Sequence, residues 1–115
     1  METTSQRTTK IKRILKEHFP DARFKVRSEF FSMGSAIDVY TDALIEYDYE
    51  PEYTLSEQEI IKQRKKHEHN NRVKHKIESL LKDYWHIDRD ERTGEILSGG
   101  NTYLGVYPWS QTQWL

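Results

Sequence analysis

Residues 61–76 hold seven basic side chains, Lys62, Arg64, Lys65, Lys66, Arg72, Lys74 and Lys76, against one acid, Glu68. Cations repeated this densely, with Asn70 and Asn71 between them, are chemistry for a polyanion. They neutralise phosphates and release the counterions condensed on a nucleic-acid backbone. Lys12 and Arg13, with Lys10, Lys16, Lys25 and Arg27, form a second basic group nearer the N-terminus. The plainer alternative is a solvated helix face screened by salt. Directly upstream, residues 41–60 carry seven acids and no base. Within that run Glu46, Asp48, Glu50 and Glu52 alternate with Tyr47, Tyr49 and Pro51. These carboxylates could imitate a phosphate array and occupy a DNA-binding partner. They could equally fold back on the basic segment of the same chain, since opposite blocks attract over a Debye length of ~8–10 Å. A DNA mimic should be acidic overall, whereas this chain has a net charge of −1.

Other chemistry finds no matching constellation. His67 and His69 are two apart and point to different sides of a helix, and His75 lies two turns beyond His67. A helical metal pair wants a spacing of four, so no metal site is expected. Asp38, Asp42, Asp88 and Asp90 could serve acid–base or magnesium chemistry. No nucleophile, phosphate-binding loop or partner histidine accompanies them, and there is no cysteine. The expectation is a non-enzymatic protein with no catalytic residue and no cofactor. Trp109 and Trp114 are hard to bury in a chain end, which suits them to a partner interface.

The elements that must position these groups follow from periodicity. The 115 residues suit a single domain, 1–115, and no apolar run is long enough for a leader or a membrane span. A soluble cytoplasmic protein is expected. After a frayed tail over 1–7, Thr8 or Thr9 can cap a short helix whose apolar stripe is Ile11, Ile14, Leu15 and Phe19. Phe24, Val26, Ser28 and Phe30 alternate with Lys25, Arg27 and Glu29, the period of a half-buried strand. Gly34, free to take positive φ, turns the chain into a return strand over 36–40, which Leu44 and Ile45 could extend. Residues 41–53 read as an acidic loop. Thr54-Leu-Ser-Glu57 reads as a capping box opening a helix over 54–84. That helix has apolar residues early (Leu55, Ile60, Ile61) and late (Val73, Ile77, Leu80, Leu81, Tyr84), with none between Ile61 and Val73. Its middle must project into solvent, kink near Asn70-Asn71 or meet a partner, and it could be the exposed arm of a homodimer. Turn signals at Glu91–Gly94 and Ser98–Asn101 separate strand-like segments over 85–89, around Ile96 and over 102–107. Core filling accounts best for Trp85, Tyr103 and Tyr107. The predicted class is α+β: a small antiparallel sheet of two hairpins, packed by a short N-terminal and a long central helix.

Phe19-Pro20, Phe24-Lys-Val-Arg-Ser28, Ser32-Met-Gly-Ser35, Ile37-Asp-Val39 and Thr41-Asp42 together resemble the large polyvalent protein-associated domains of phages and conjugative elements. The resemblance covers about residues 11–42. Tyr40 stands near the family's usual Trp, and the Gly-Pro that often follows the Asp is absent. The resemblance implies an accessory protein of a mobile element, of the kind associated with DNA transfer and with countering host defences. It carries over no catalytic residue. Nucleic acid, or a host defence protein, is the partner this implies. Nucleic acid would be met by the basic helix, and the defence protein by the acidic loop with Trp109 and Trp114.

Overall fold

The computed structural model describes residues 3–32, 34–87, 89–96 and 100–114. Helix α1 spans Thr4–His18 and begins earlier than the periodicity suggests. The cap is Thr3, whose side chain accepts the Gln6 N–H at 3.1 Å while the Gln6 side chain accepts the Thr3 N–H at 3.0 Å. This reciprocal arrangement satisfies two donors that a helix start leaves unpaired. The expected tail over 1–7 is therefore helical from residue 4. Arg7 lies buried on the first turn, donating to the Ser28 and Ser35 hydroxyls at 3.2 Å each, with its guanidinium 4.2 Å from the Phe30 ring centroid. Ile11 and Leu15 continue that inward stripe and are fully buried.

Strand β1, Phe24–Phe31, pairs antiparallel with β2, Gly34–Thr41, in the register Val26↔Val39 and Ser28↔Ile37. Strand β3, Asn101–Pro108, completes the sheet in the order β1-β2-β3. It runs parallel to β2, with Ile37↔Leu104 and Val39↔Val106. Among the described residues the second hairpin expected from the turn signals adds no antiparallel strand pair to the sheet, and the sheet is mixed. The physical reason is the long helix. It carries the chain back along the sheet, so the last strand enters in the direction of β2. Among the described residues, the 85–96 segment contributes two isolated bridges, His86↔Thr102 and Arg89↔Ile96. The Glu91–Gly94 turn does form, tied by Asp90 Oδ1 to the N–H groups of Arg92 and Thr93 at 2.8 and 3.0 Å. Asp88 and the Ser98-Gly99 part of the next turn lie outside the described residues.

Gly34 is required for approach rather than for positive φ. A Cβ there would sit 2.3 Å from the Asn101 carbonyl oxygen of the neighbouring strand.

Helix α2 spans Glu57–Leu80 and is unbroken through Asn70-Asn71. Its cap is Ser56 rather than Thr54: the Ser56 hydroxyl accepts the Glu59 N–H at 3.3 Å and donates to Glu59 Oε1 at 2.9 Å. Thr54 instead donates to the Pro51 carbonyl, closing a 3-10 turn over Glu52–Thr54. At the other end the Trp85 indole donates to the Glu78 carbonyl at 2.9 Å. Val73, Ile77 and Leu81 meet Ile11, Leu15, Phe24, Val26, Ile37, Val39 and Leu44 in one core on the helix-covered side of the sheet.

Candidate nucleic-acid interface

The polar middle of α2 packs, and it packs through amides. Residues 43–52 run along the helix in the opposite direction as a strap. Asn70 Oδ1 accepts the Ile45 N–H at 2.8 Å, and Asn70 Nδ2 donates to the Ile45 carbonyl at 2.8 Å. Gln63 repeats the pattern on Glu50, at 3.0 Å for both bonds. His69 Nε2 lies 2.9 Å from the Ala43 carbonyl, and Tyr47 Oη lies 3.4 Å from His67 Nδ1. A side-chain amide offers the same donor–acceptor pair as a backbone peptide. The helix face that lacks apolar residues therefore binds main chain rather than a core. The acidic run folds back on its own helix, through main chain to Asn70 and Gln63 and through Glu52 to Arg64.

This strap sorts the predicted cations. Arg64 forms a two-pronged pair with Glu52, Nε to Oε1 and Nη2 to Oε2, both 2.7 Å. The pair holds Glu52 below the usual carboxylate range and raises Arg64. Lys66 Nζ lies 5.9 Å from the Tyr47 ring centroid. Lys62 and Lys66 line a shared cleft with Glu46, Asp48 and Glu50, and Lys74 lines another of about 620 Å³ with Glu46 and Asp48. Lys65 and Arg72 each sit two residues beyond a strap-binding amide, about 200° around the helix at ~100° per residue. They face away from the strap, are exposed, and have no ion pair among the described residues. Lys76 is exposed on that side with its ammonium 4.6 Å from the Phe19 ring centroid. Lys12 and Arg13 are exposed on α1. No described contact joins them to the α2 row.

Three of the six predicted partner residues, Glu46, Glu52 and Trp109, are engaged within the chain. Glu46 Oε1 accepts the Ser110 N–H at 2.8 Å, and Ser110's side chain and N–H together hold Glu46 below the ordinary range. Trp109 opens a C-terminal 3-10 helix, Trp109–Trp114, and is stacked under the Arg23 guanidinium at 4.4 Å. Arg23 in turn pairs with Asp42 at 2.9 Å. The Trp114 side chain lies outside the described residues. Asp48 and Glu50 are exposed.

The uncovered face of the sheet carries Lys25, Arg27 and Glu29 on β1, Asp38 and Tyr40 on β2, and Tyr103, Gly105 and Tyr107 on β3. Tyr103 is exposed, contrary to its expected place in the core. Burial raises Asp38 above its ordinary value, partly offset by Arg27 and by a hydrogen bond from Tyr107. The Tyr107 ring crosses over Gly105, where a Cβ would lie 2.3 Å from its hydroxyl oxygen. It also meets the Tyr40 ring at 5.3 Å between centroids. Among the described residues, no group of three or more His, Asp or Glu is placed to hold a metal, and no helix is long and apolar enough to cross a membrane.

The amides at Gln63 and Asn70 were readable as polar breaks in a helical stripe, but nothing in their spacing announced main-chain recognition. Residues 2–101 match the family model described as Large polyvalent protein associated domain 29, a span that includes α1, the hairpin, the strap and all of α2. No match appears among curated proteins or among solved structures.

Proposed function

The chain belongs to the Large polyvalent protein associated domain 29 family, a domain of phage and mobile-element proteins, and from that premise we propose that it is a non-enzymatic nucleic-acid-binding accessory acting through the outward face of α2. The observation that carries this reading is the division of charge. Glu52 of the strap is paired with Arg64 and the other strap acids share clefts with Lys62, Lys66 and Lys74, while Lys65 and Arg72 are turned toward solvent and Lys76 lies over the Phe19 ring beside them. Exposed cations on a rigid helix, with Glu68 the one acid between them, meet a phosphate backbone without reorganising, and their affinity comes from counterion release. The alternative, docking of the acidic loop and C-terminal aromatics onto a host defence protein, is less favoured. Glu46, Glu52 and Trp109 already have partners within the chain.

The test is titration of the protein against a short labelled DNA, single- and double-stranded, over a range of salt. Binding should weaken with a log–log slope of roughly −2 to −3, as expected for two or three phosphate contacts. The Lys65→Glu/Arg72→Glu pair should weaken it by at least about tenfold. Absence of binding at low salt, or binding indifferent to that pair, overturns the reading.

A further inference from the structure

We propose that the strap is an intrachain competitor: residues 45–52 occupy the part of the α2 basic surface along which a nucleic-acid backbone would otherwise extend. The inference rests on the reading above and concerns the regulation of that same surface. The strap places carboxylates at every second position, Glu46, Asp48, Glu50 and Glu52, beside four of the helix's seven predicted cations: Lys62, Arg64, Lys66 and Lys74. In that position it does chemically what a phosphate strand would do. Arg64 is the clearest case, its fork filled by both oxygens of Glu52, the geometry it would offer a phosphate.

The strap is also built to leave. Leu44 is buried at its start, and no residue from Ile45 to Thr54 is buried. Tyr49 and Tyr53 point outward at 72 and 90% exposure. Its attachments are hydrogen bonds and a pair open to water, and segments with few buried apolar contacts open locally at low free-energy cost. Glu46 is its one tie to the C-terminal 3-10 helix among the described contacts. Displacement would bare Arg64, Lys66 and Lys74 on a helix whose Val73–Leu81 half stays fixed in the core.

The test compares the intact protein with two doubly neutralised variants. Glu50→Gln/Glu52→Gln breaks the Glu52–Arg64 pair and removes two of the strap's competing charges, while the main-chain bonds to Gln63 and Asn70 stay. Glu91→Gln/Glu95→Gln makes the same charge change at exposed residues of the distant Asp90 turn. Affinity for a labelled DNA duplex is measured against salt for all three, with thermal melting to confirm folding. The strap pair should tighten binding about tenfold and steepen the log–log slope by roughly 1 to 3, reporting the added phosphate contacts, while the control pair changes affinity less than about twofold. Equal effects from the two pairs would reduce the result to net charge and overturn the proposal. So would wild-type affinity and slope in the strap pair. If neither the wild type nor the strap pair binds, the basic-helix reading falls as well. Wild-type binding that Lys65→Glu/Arg72→Glu weakens but the strap pair leaves alone removes the competitor only.

Discussion

Asn70 grips both backbone groups of Ile45, one amide side chain closing two 2.8 Å hydrogen bonds on a single residue 25 positions away. Replacing it by Ala removes both bonds, each contributing about 0.5–1.5 kcal/mol in general. These bonds are exposed, so the lower part of that range applies. Asn70→Ala should therefore lower stability by about 1 kcal/mol. It should also speed hydrogen exchange at the Ile45 amide by roughly tenfold or more, while exchange at Ile77 in α2 stays slow. Unchanged protection at Ile45 would mean that the strap is held by other contacts.

Asp42 accepts the Arg23 N–H at 2.7 Å and the Arg23 Nε–H at 2.9 Å. The backbone bond first, then the guanidinium, lowers its pKa. A carboxylate with a lowered folded value stabilises the fold above its unfolded pKa, near 3.9, and loses that contribution as pH falls through the folded value. Chemical denaturation of wild type and Asp42→Asn should thus differ at neutral pH, the gap narrowing as pH falls below about 4 and closing only below the lowered folded value. The group is partly exposed, so the neutral-pH gap should be about 1 kcal/mol or less. A gap that persists at low pH would argue that the asparagine alters packing instead.

Gly105 lies under Tyr107, and any Cβ at 105 overlaps the tyrosine's hydroxyl end. Gly105→Ala should cost about 1–3 kcal/mol, the usual range for overpacking. In a Tyr107→Leu background the same change should cost much less, because the atoms it strikes are gone. A double-mutant cycle with no coupling would mean that the ring swings aside freely.

Ile77 and Ile61 lie on the same helix with opposite fates, 0 and 53% exposed. Thermal or urea unfolding should show Ile77→Ala losing about 2–5 kcal/mol and Ile61→Ala staying within about 0.5 kcal/mol of wild type.

Local pattern carried the sequence reading where local rules decide. The alternation from Phe24 to Phe30 fixed β1, and its pairing with β2 and the α+β class follow from it. The late stripe of α2 was legible because Val73, Ile77 and Leu81 sit at helical spacing. The cap was misplaced by two residues because Thr54 and Ser56 are both followed three residues later by a glutamate. Only the fold could decide which hydroxyl met the helix start. The direction of β3 is invisible in its own residues, since parallel and antiparallel edge strands share one alternation. Among the candidate site residues, the positions of the cations were legible, but their division was not. That Arg64 would be occupied and Lys65 open depends on where the strap crosses, and Gln63 and Asn70 set this through contacts 13 and 25 residues apart in sequence.

The long sequence separation between β2 and β3 predicts an order of events as the chain folds. Ser35 and Thr102 meet at 2.8 Å across 67 residues of sequence, whereas β1 and β2 meet across a tight turn. Closing the short loop is cheap and fast, and contacts of high sequence separation come late. The hairpin with α1 can therefore assemble while β2 still has one open edge, and that edge stays unpaired until α2 has delivered the final strand. An open edge is a template for any other strand, including β3 of a second molecule. Slowed refolding at high protein concentration should accordingly leave exchanged dimers, in which each chain completes the other's sheet.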